Sequence, residues 1–316
     1  MYMNTVSRKW ISARTQNCSR IVLALLLFVS NQYLCTAALA ASEPHIQFNV
    51  QHYYPADGLA GETVRDITQT PDGKMWFACW GGGISSYDGY SWVSYRKPEG
   101  LPTQYVRTLH VDGAGRLWAG TEKGMAYFTG TQWRSVSTGI PEHEYPSVFS
   151  IVEQGENLYV GDGESFIYTC TLDPNPAAPE PASAWAISYD RSLFDNYSGT
   201  RCLLVLDNGD ILGAVSVSGL IVLHEGAWSV VPDFPSTTQK KDMIQTLNGD
   251  IWVASDSGIV RFDGRQWETI DSDIYLPSCL IETSRNTLYI GTSKSLEVYK
   301  NGQADSLDLG GLVPNT

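Results

Sequence analysis

The stretch WGGG at residues 80–83 is the first place in the sequence where the residue types suggest chemistry. Clustered glycines bring backbone N–H groups close to a phosphate when they open a helix. The residues that follow, ISSYDGYSW, contain a turn signal between two short runs that favour strands, so no helix is expected. We therefore exclude a phosphate site, and Trp80 is the residue of this stretch that remains a candidate for ligand binding.

Histidines and cysteines are the other candidates for catalysis or metal binding. The five histidines share no spacing with acidic partners, and only His110 is attractive as a base. No G-x-S-x-G nucleophile motif is present. The cysteines after residue 40 lack zinc-ligand spacing; they are Cys79, Cys170, Cys202 and Cys279. We expect free, buried thiols, with a Cys170–Cys202 disulfide as the open alternative, and no catalytic residue, metal or cofactor.

These candidates lie within a unit that recurs along the chain. DGKMWFACWGGGISSYDGYSW, from Asp72, aligns with AGRLWAGTEKGMAYFTGTQW, from Ala114, and with NGDIWVASDSGIVRFDGRQW, from Asn248. Three weaker copies begin at residues 155, 208 and 285. The period is about 41 residues, except where a Pro/Ala-rich insertion, Asp173–Ala184, lengthens the third copy.

Each copy is predicted to form four short strands. Turn signals lie about ten residues apart, with Val, Ile, Trp and Tyr between them, and no room is left for a crossover helix. A four-stranded unit of this period is typical of a β-propeller blade. The predicted fold is all-β: a β-propeller of four-stranded antiparallel blades with six recognisable repeats. The repeated Trp76, Trp118 and Trp252 are predicted to pack between blades.

The two ends of the chain do not fit a simple count of six. The segment His45–Tyr54 resembles the last strand of a blade, yet the sixth copy has its own last strand in Gln303–Leu309. The final residues, GGLVPNT, resemble the start of another repeat. We expect an incomplete seven-bladed ring and hence a fragment of a longer protein. A six-bladed ring flanked by the N-terminal strand is the alternative.

Residues 1–40 have the order of a secretory signal peptide. Four basic residues precede the apolar run IVLALLLFVS, and Ala38–Ala40 supplies the small residues of a cleavage site. An uncleaved anchor is the alternative, although the run is short for a bilayer span. Residues 41–316 are then a single propeller domain, periplasmic or secreted in a bacterium, with no later membrane span. The formal net charge of −13 opposes binding to nucleic acid or to an anionic membrane.

Loops on one face of a propeller surround the mouth of its channel, where a concave site is expected. Aromatic rings there would cover the C–H faces of a sugar or other polar ligand, and charged groups would bind its hydroxyls or carboxylates. Arg65 and Asp66 could instead form an internal ion pair. The predicted ligand-binding residues are Trp80, Tyr105, Arg107, Arg65, Asp66, Tyr145 and Asp256, with Glu122 and Lys241 on the same face.

The segment Glu99–Trp133 resembles the two-component regulator propeller repeat. It has that repeat's E-G-L-P start, its L-W-x-G-T and G-x-x-x-F strands and its closing tryptophan, and the copies from Asp57 and Asn248 are similar. The resemblance implies an extracytoplasmic sensor module of a signalling receptor. In such proteins a membrane helix and an output domain usually follow, and neither follows in this sequence.

The favoured function is recognition of a glycan or another small polar ligand by the sensor part of such a receptor. The alternative is a protein-interaction scaffold in the cell envelope, with envelope proteins or a second propeller as partners. A propeller lyase or hydrolase is a third hypothesis. It is disfavoured because the convergent arginines of a sialidase cannot be assembled and His110 lacks an acidic partner at a shared spacing.

Overall fold

The computed structural model describes residues 18–19, 51–141, 143–173, 175, 183–194, 199–215, 219–235, 239–270, 274, 276–283, 287–300 and 302–307. Within these residues the chain forms six four-stranded antiparallel blades in a ring, each from one sequence copy. The only helices of this part are two three-residue 3₁₀ turns, Pro55–Asp57 and Lys97–Glu99. The prediction of an all-β propeller with six repeats is confirmed.

The strands are numbered in chain order, and four successive strands form each blade. The two-residue β1 (Cys18–Ser19) pairs with the first strand of blade 1. Blade 1 consists of β2 (Thr63–Gln69), β3 (Met75–Cys79), β4 (Gly83–Tyr87) and β5 (Trp92–Tyr95), and blade 2 of β6 (Val106–Val111), β7 (Leu117–Thr121), β8 (Gly124–Phe128) and β9 (Trp133–Val136). Blade 3 consists of β10 (Val148–Gln154), β11 (Asn157–Asp162), β12 (Ile167–Thr171) and β13 (Ala186–Tyr189), and blade 4 of β14 (Leu203–Val205), β15 (Ile211–Gly213), β16 (Ile221–His224) and β17 (Ala227–Val230). Blade 5 consists of β18 (Lys240–Gln245), β19 (Ile251–Ser255), β20 (Gly258–Phe262) and β21 (Trp267–Ile270), and blade 6 of β22 (Pro277–Thr283), β23 (Thr287–Thr292), β24 (Leu296–Lys300) and β25 (Gln303–Ser306).

A polar turn joins the first and second strands of a blade. In blade 1 the Thr70 N–H donates to the Lys74 carbonyl at 3.0 Å, and the Trp76 indole N–H donates to the Thr70 hydroxyl at 2.9 Å. The same backbone closure recurs at Asp112–Arg116 and Thr246–Asp250. The turn signals in the sequence therefore set the ends of the strands.

The repeated tryptophans lie between neighbouring blades, as predicted. The Trp76 ring of blade 1 packs against Phe128 and Trp133 of blade 2, with centroids 4.9 and 6.1 Å away. The Trp252 ring of blade 5 lies 4.9 Å from that of Tyr299 in blade 6. Because a blade can bury both faces of its sheet only against its neighbours, these contacts require a ring of blades.

Hydrogen bonds also join the first strands of successive blades. In each case a side chain near the start of a blade's first strand accepts a hydrogen bond from a backbone N–H in the first strand of the next blade. The pairs are Asp66 Oδ2 with Leu109 N (2.8 Å), Ser150 Oγ with Leu203 N (3.0 Å) and Asp242 Oδ2 with Leu280 N (2.9 Å). These buried bonds fix the height of one blade relative to the next.

The sixth blade has its own last strand, β25, as predicted. Of the segment His45–Tyr54, only residues 51–54 are described, and these four form no strand. Tyr53 instead packs its ring on Trp92 of blade 1 at 5.2 Å. Residues 1–40 apart from Cys18–Ser19, most of the insertion and the end of the chain lie outside the described residues. The signal peptide and the seventh blade therefore stay predictions.

No helix in the described ranges is long and apolar enough to cross a membrane.

Candidate functional site

A local irregularity at the start of the first strand aims side chains at one end of the ring. In five blades the register with the second strand shifts across a single residue, as between Val64 and Asp66 or between Val106 and Thr108. Such a bulge turns a side chain out of the regular alternation of a strand. The residues at this repeat position are Arg65, Arg107, Phe149, Arg201, Lys241 and Ser278.

Trp80 and Tyr105 meet beside these residues. They form an isolated antiparallel bridge between the loop after β3 and the segment before β6, and their ring centroids lie 5.0 Å apart. The backbone N–H of Trp80 donates to the Thr63 carbonyl at 2.8 Å, which holds the loop against β2. Tyr105 is 44% exposed, so its ring is accessible to a ligand.

The three glycines after Trp80 are explained by this geometry. A Cβ on Gly82 would lie 2.2 Å from the Ala60 carbonyl oxygen, and Gly83 has a φ of +94°. The sequence prediction that they allow a tight turn between β3 and β4 is confirmed.

Arginine and aromatic side chains alternate around this end of the ring. The guanidinium carbons of Arg65 and Arg107 lie 5.1 and 4.4 Å from the centroid of Trp80. Arg107 also lies 4.0 Å from the centroid of Phe149, and Arg201 lies 5.0 Å from the same ring. We call Arg65, Trp80, Arg107, Phe149 and Arg201 the arginine arc. It extends over blades 1 to 4.

Two carboxylates accompany the arc. Glu122 binds the Arg107 guanidinium at 2.9 Å, and Asp256 binds the Lys241 ammonium at 3.0 Å and interacts electrostatically with Arg201. These contacts place Asp256 and Lys241, from blade 5, at the end of the arc. Five blades therefore contribute charged or aromatic groups to one region.

Burial lowers the pKa of all three arginines of the arc from the ordinary arginine value. Glu122 opposes this shift at Arg107, and Asp256 opposes it at Arg201. The positive charge of Arg201 lowers the pKa of Arg65 further, and both other guanidinium groups do the same to Arg107. Because arginine starts from a very high pKa, all three stay charged at neutral pH.

Asp66 belongs to the blade interface rather than to the channel mouth. Its side chain is 2% exposed and accepts hydrogen bonds from the Thr108 hydroxyl and the Leu109 N–H of blade 2. Arg65 extends toward Trp80 instead. The ion pair between Arg65 and Asp66, weighed from the sequence, is not formed.

Two other residues from the sequence analysis are outside the group that we call the arginine arc. Tyr145 is exposed beside Gly124 and makes no aromatic contact with another described residue. His110 lies toward the other end of β6 from Arg107, and its Nε2 is 3.9 Å from a Glu153 oxygen.

Cys79, Cys170, Cys202 and Cys279 form no disulfide with one another, so the alternative of a Cys170–Cys202 disulfide is wrong. Burial raises the pKa of Cys79 to about 11 and that of Cys170 to about 12. Within the described ranges, no three His, Cys, Asp or Glu side chains are arranged to hold a metal ion.

Sequence reasoning found Arg65, Trp80, Tyr105 and Arg107, which the structure brings together, and missed Phe149 and Arg201. Both missed residues lie in degenerate copies of the repeat. Their shared position, one residue after that of Val64 in blade 1, is the signal that could have found them.

Residues 58–81 and 100–123 match the family model of the two-component regulator propeller. These two segments are two-component regulator propeller repeats. The matched segments cover the start of the first two copies and include Arg65, Trp80, Tyr105 and Arg107. In a comparison with curated proteins, no sequence matches this propeller.

Solved structures with a similar fold include the extracellular domains of two hybrid two-component systems of B. thetaiotaomicron. One has a TM-score of 0.67 at 18% identity over 82% of this chain and 36% of its own. The other has a TM-score of 0.62 at 17% identity over 79% and 34%. The propeller thus spans about a third of the length of these structures.

Virginiamycin B lyase from Staphylococcus aureus is also similar, with a TM-score of 0.60 at 14% identity over 80% of this chain and 85% of its own. At these identities the likeness to all three structures shows the propeller fold alone.

Proposed function

We propose that this propeller is the extracytoplasmic sensor part of a two-component-type signalling receptor and that it binds a glycan or another small polar ligand at the arginine arc. The repeats support the receptor context, because they match the family model of two-component regulator propellers. Export by the N-terminal signal peptide belongs to the same proposal.

The convergence of Trp80, Tyr105, Arg65 and Arg107 carries the proposal of a ligand site. These side chains come from two blades and three separate segments, yet Trp80 contacts all three of the others. The arginine side chains fix the orientation of the indole through cation–π contacts, each worth about 0.5–2 kcal/mol. A rigid aromatic surface beside charged donors is suited to a molecule with C–H faces and polar edges.

Calorimetry of the purified chain against a panel of oligosaccharides tests the proposal. We expect at least one ligand to bind, and Trp80→Ala to weaken it about tenfold or more, as for a central aromatic contact. Tyr90→Ala is the matched control. Tyr90 is 96% exposed in the turn between β4 and β5, on the opposite face of the ring.

Absence of binding across the panel would contradict ligand recognition by this chain. If the chain instead captured only an envelope protein, and Trp80→Ala left that complex unchanged, the scaffold hypothesis would replace the proposed function.

A further inference from the structure

The arginine arc concentrates positive charge in a chain whose formal net charge is −13. Arg65, Arg107, Arg201 and Lys241 occupy the same repeat position in four blades. Glu122 and Asp256 compensate part of this charge at Arg107 and Lys241. Arg65 makes no ion pair within the described part of the chain. Its guanidinium group lies over the Trp80 ring and interacts electrostatically with the guanidinium groups of Arg107 and Arg201.

This arrangement costs free energy within the protein itself. The Nε atoms of Arg65 and Arg107 are buried and have no hydrogen-bond partner among the described residues. A desolvated cation without a matching anion is unfavourable, and neighbouring like charges add to the cost. The lowered pKa values of the three arginines have this same physical origin. A ligand that brought negative charge would remove both penalties at once.

We propose that the ligand of this site carries a carboxylate or a sulfate ester, and that the arginine arc binds this group while Trp80 and Tyr105 contact the rest of the molecule. This inference rests on the proposed function and specifies its ligand class: an acidic sugar or oligosaccharide. Planar guanidinium groups match the paired oxygens of carboxylates and sulfates better than single hydroxyls. Neutral sugars would leave the charge of Arg65 uncompensated.

Three probes with one sugar skeleton test the inference: α-1,4-linked galactotriose, its sulfated derivative and trigalacturonate. We expect at least one acidic probe to bind the purified chain about tenfold more tightly than the neutral trisaccharide, as expected for a charged hydrogen bond. The comparison of the two acidic probes distinguishes sulfate from carboxylate recognition. Raising the salt concentration should weaken the acidic probe selectively, because ions screen the attraction.

Variants locate the effect. Arg65→Gln should lower the affinity for the acidic probe about tenfold, and Arg65→Lys, which keeps the charge, should lose less. Arg134→Gln is the matched control, because it removes one positive charge from an exposed position on the outer strand β9. The midpoint of thermal unfolding of each variant shows whether it is folded at the temperature of the assay.

Equal or tighter binding of neutral galactotriose would overturn this inference and leave the proposed function intact. Binding of a neutral sugar from the panel, with no binding of any of the three probes, would likewise overturn this inference and leave the proposed function intact. Failure of every probe and of the whole panel would overturn both proposals.

Discussion

The carboxylate of Asp66 in blade 1 accepts a hydrogen bond from the backbone N–H of Leu109 in blade 2, at 2.8 Å. The Thr108 hydroxyl donates to the same oxygen at 3.0 Å. Asp242 and Leu280 repeat the relationship between blades 5 and 6. A buried N–H left without its acceptor costs more free energy than the bond itself contributes. These contacts therefore lead to a prediction about stability.

We expect Asp66→Ala to lower the free energy of unfolding by about 2–3 kcal/mol, because the substitution strands a buried N–H and a buried hydroxyl. Asp66→Asn should lose less, since its amide oxygen can still accept. Urea unfolding measures both, with the exposed Asp305→Ala as control. An Asp66→Ala protein as stable as that control would refute the role of this bond in joining the blades.

Gly82 is predicted to tolerate no side chain. A Cβ there would lie 2.2 Å from the Ala60 carbonyl oxygen, which belongs to the backbone and has little freedom to move. We expect Gly82→Ala to destabilise the fold by about 1–3 kcal/mol through overpacking. Gly113→Ala is the control, because its Cβ would meet only the flexible Glu153 side chain, at 3.2 Å. Equal thermal unfolding midpoints of the two variants would contradict the prediction.

The buried cysteines are predicted to be inert in the folded protein. Burial raises the pKa of Cys79 to about 11 and that of Cys170 to about 12, so at pH 8 both are thiols rather than reactive thiolates. Ellman's reagent should modify neither until the chain unfolds, whereas Cys279, which is only partly buried, should react first. Cys279→Ser then removes the early phase. Rapid modification of Cys79 or Cys170 in the folded protein would count against their burial.

Lys240 is predicted to make stability depend on alkaline pH. It is 2% exposed, and burial lowers its pKa from 10.5 to about 8, with Cys202 opposing the shift. Between pH 8 and 10.5 the unfolded chain therefore holds a proton that the folded chain has lost. By linkage, the Lys240 contribution to stability rises with pH across this window.

We expect Lys240→Met to be more stable than the parent protein at pH 7, by up to about 3 kcal/mol, with the difference shrinking as the pH rises from 8 to 10.5. Subtracting the two unfolding curves cancels the titration of the tyrosines and of the cysteines that do not interact with Lys240, which leaves Lys240 and its partner Cys202. The exposed Lys97→Met serves as control. A difference between parent and Lys240→Met that is constant across the window would show that Lys240 does not titrate as described.

The blades could be predicted from the sequence alone. The contacts within and between blades recur around the ring. The turn residues, the repeat period and the tryptophans at fixed positions therefore recur from copy to copy in the sequence. Trp76 and Trp252 could be assigned to the core because a position used in all blades reflects packing. The strand order of each sheet followed in the same way, since consecutive short strands joined by tight turns pair with their neighbours.

The different roles of Arg65 and Asp66 could be seen only in the folded chain. They are adjacent in sequence, and both were assigned to the ligand site. The bulge at the start of β2 breaks the alternation, so Arg65 reaches the Trp80 ring while Asp66 binds blade 2. Phe149 and Arg201 join Arg65 and Arg107 only because the ring brings distant blades together at one end. The spacing of the repeats determines the strands of each blade, whereas the closure of the blades into a ring determines which side chains share a site.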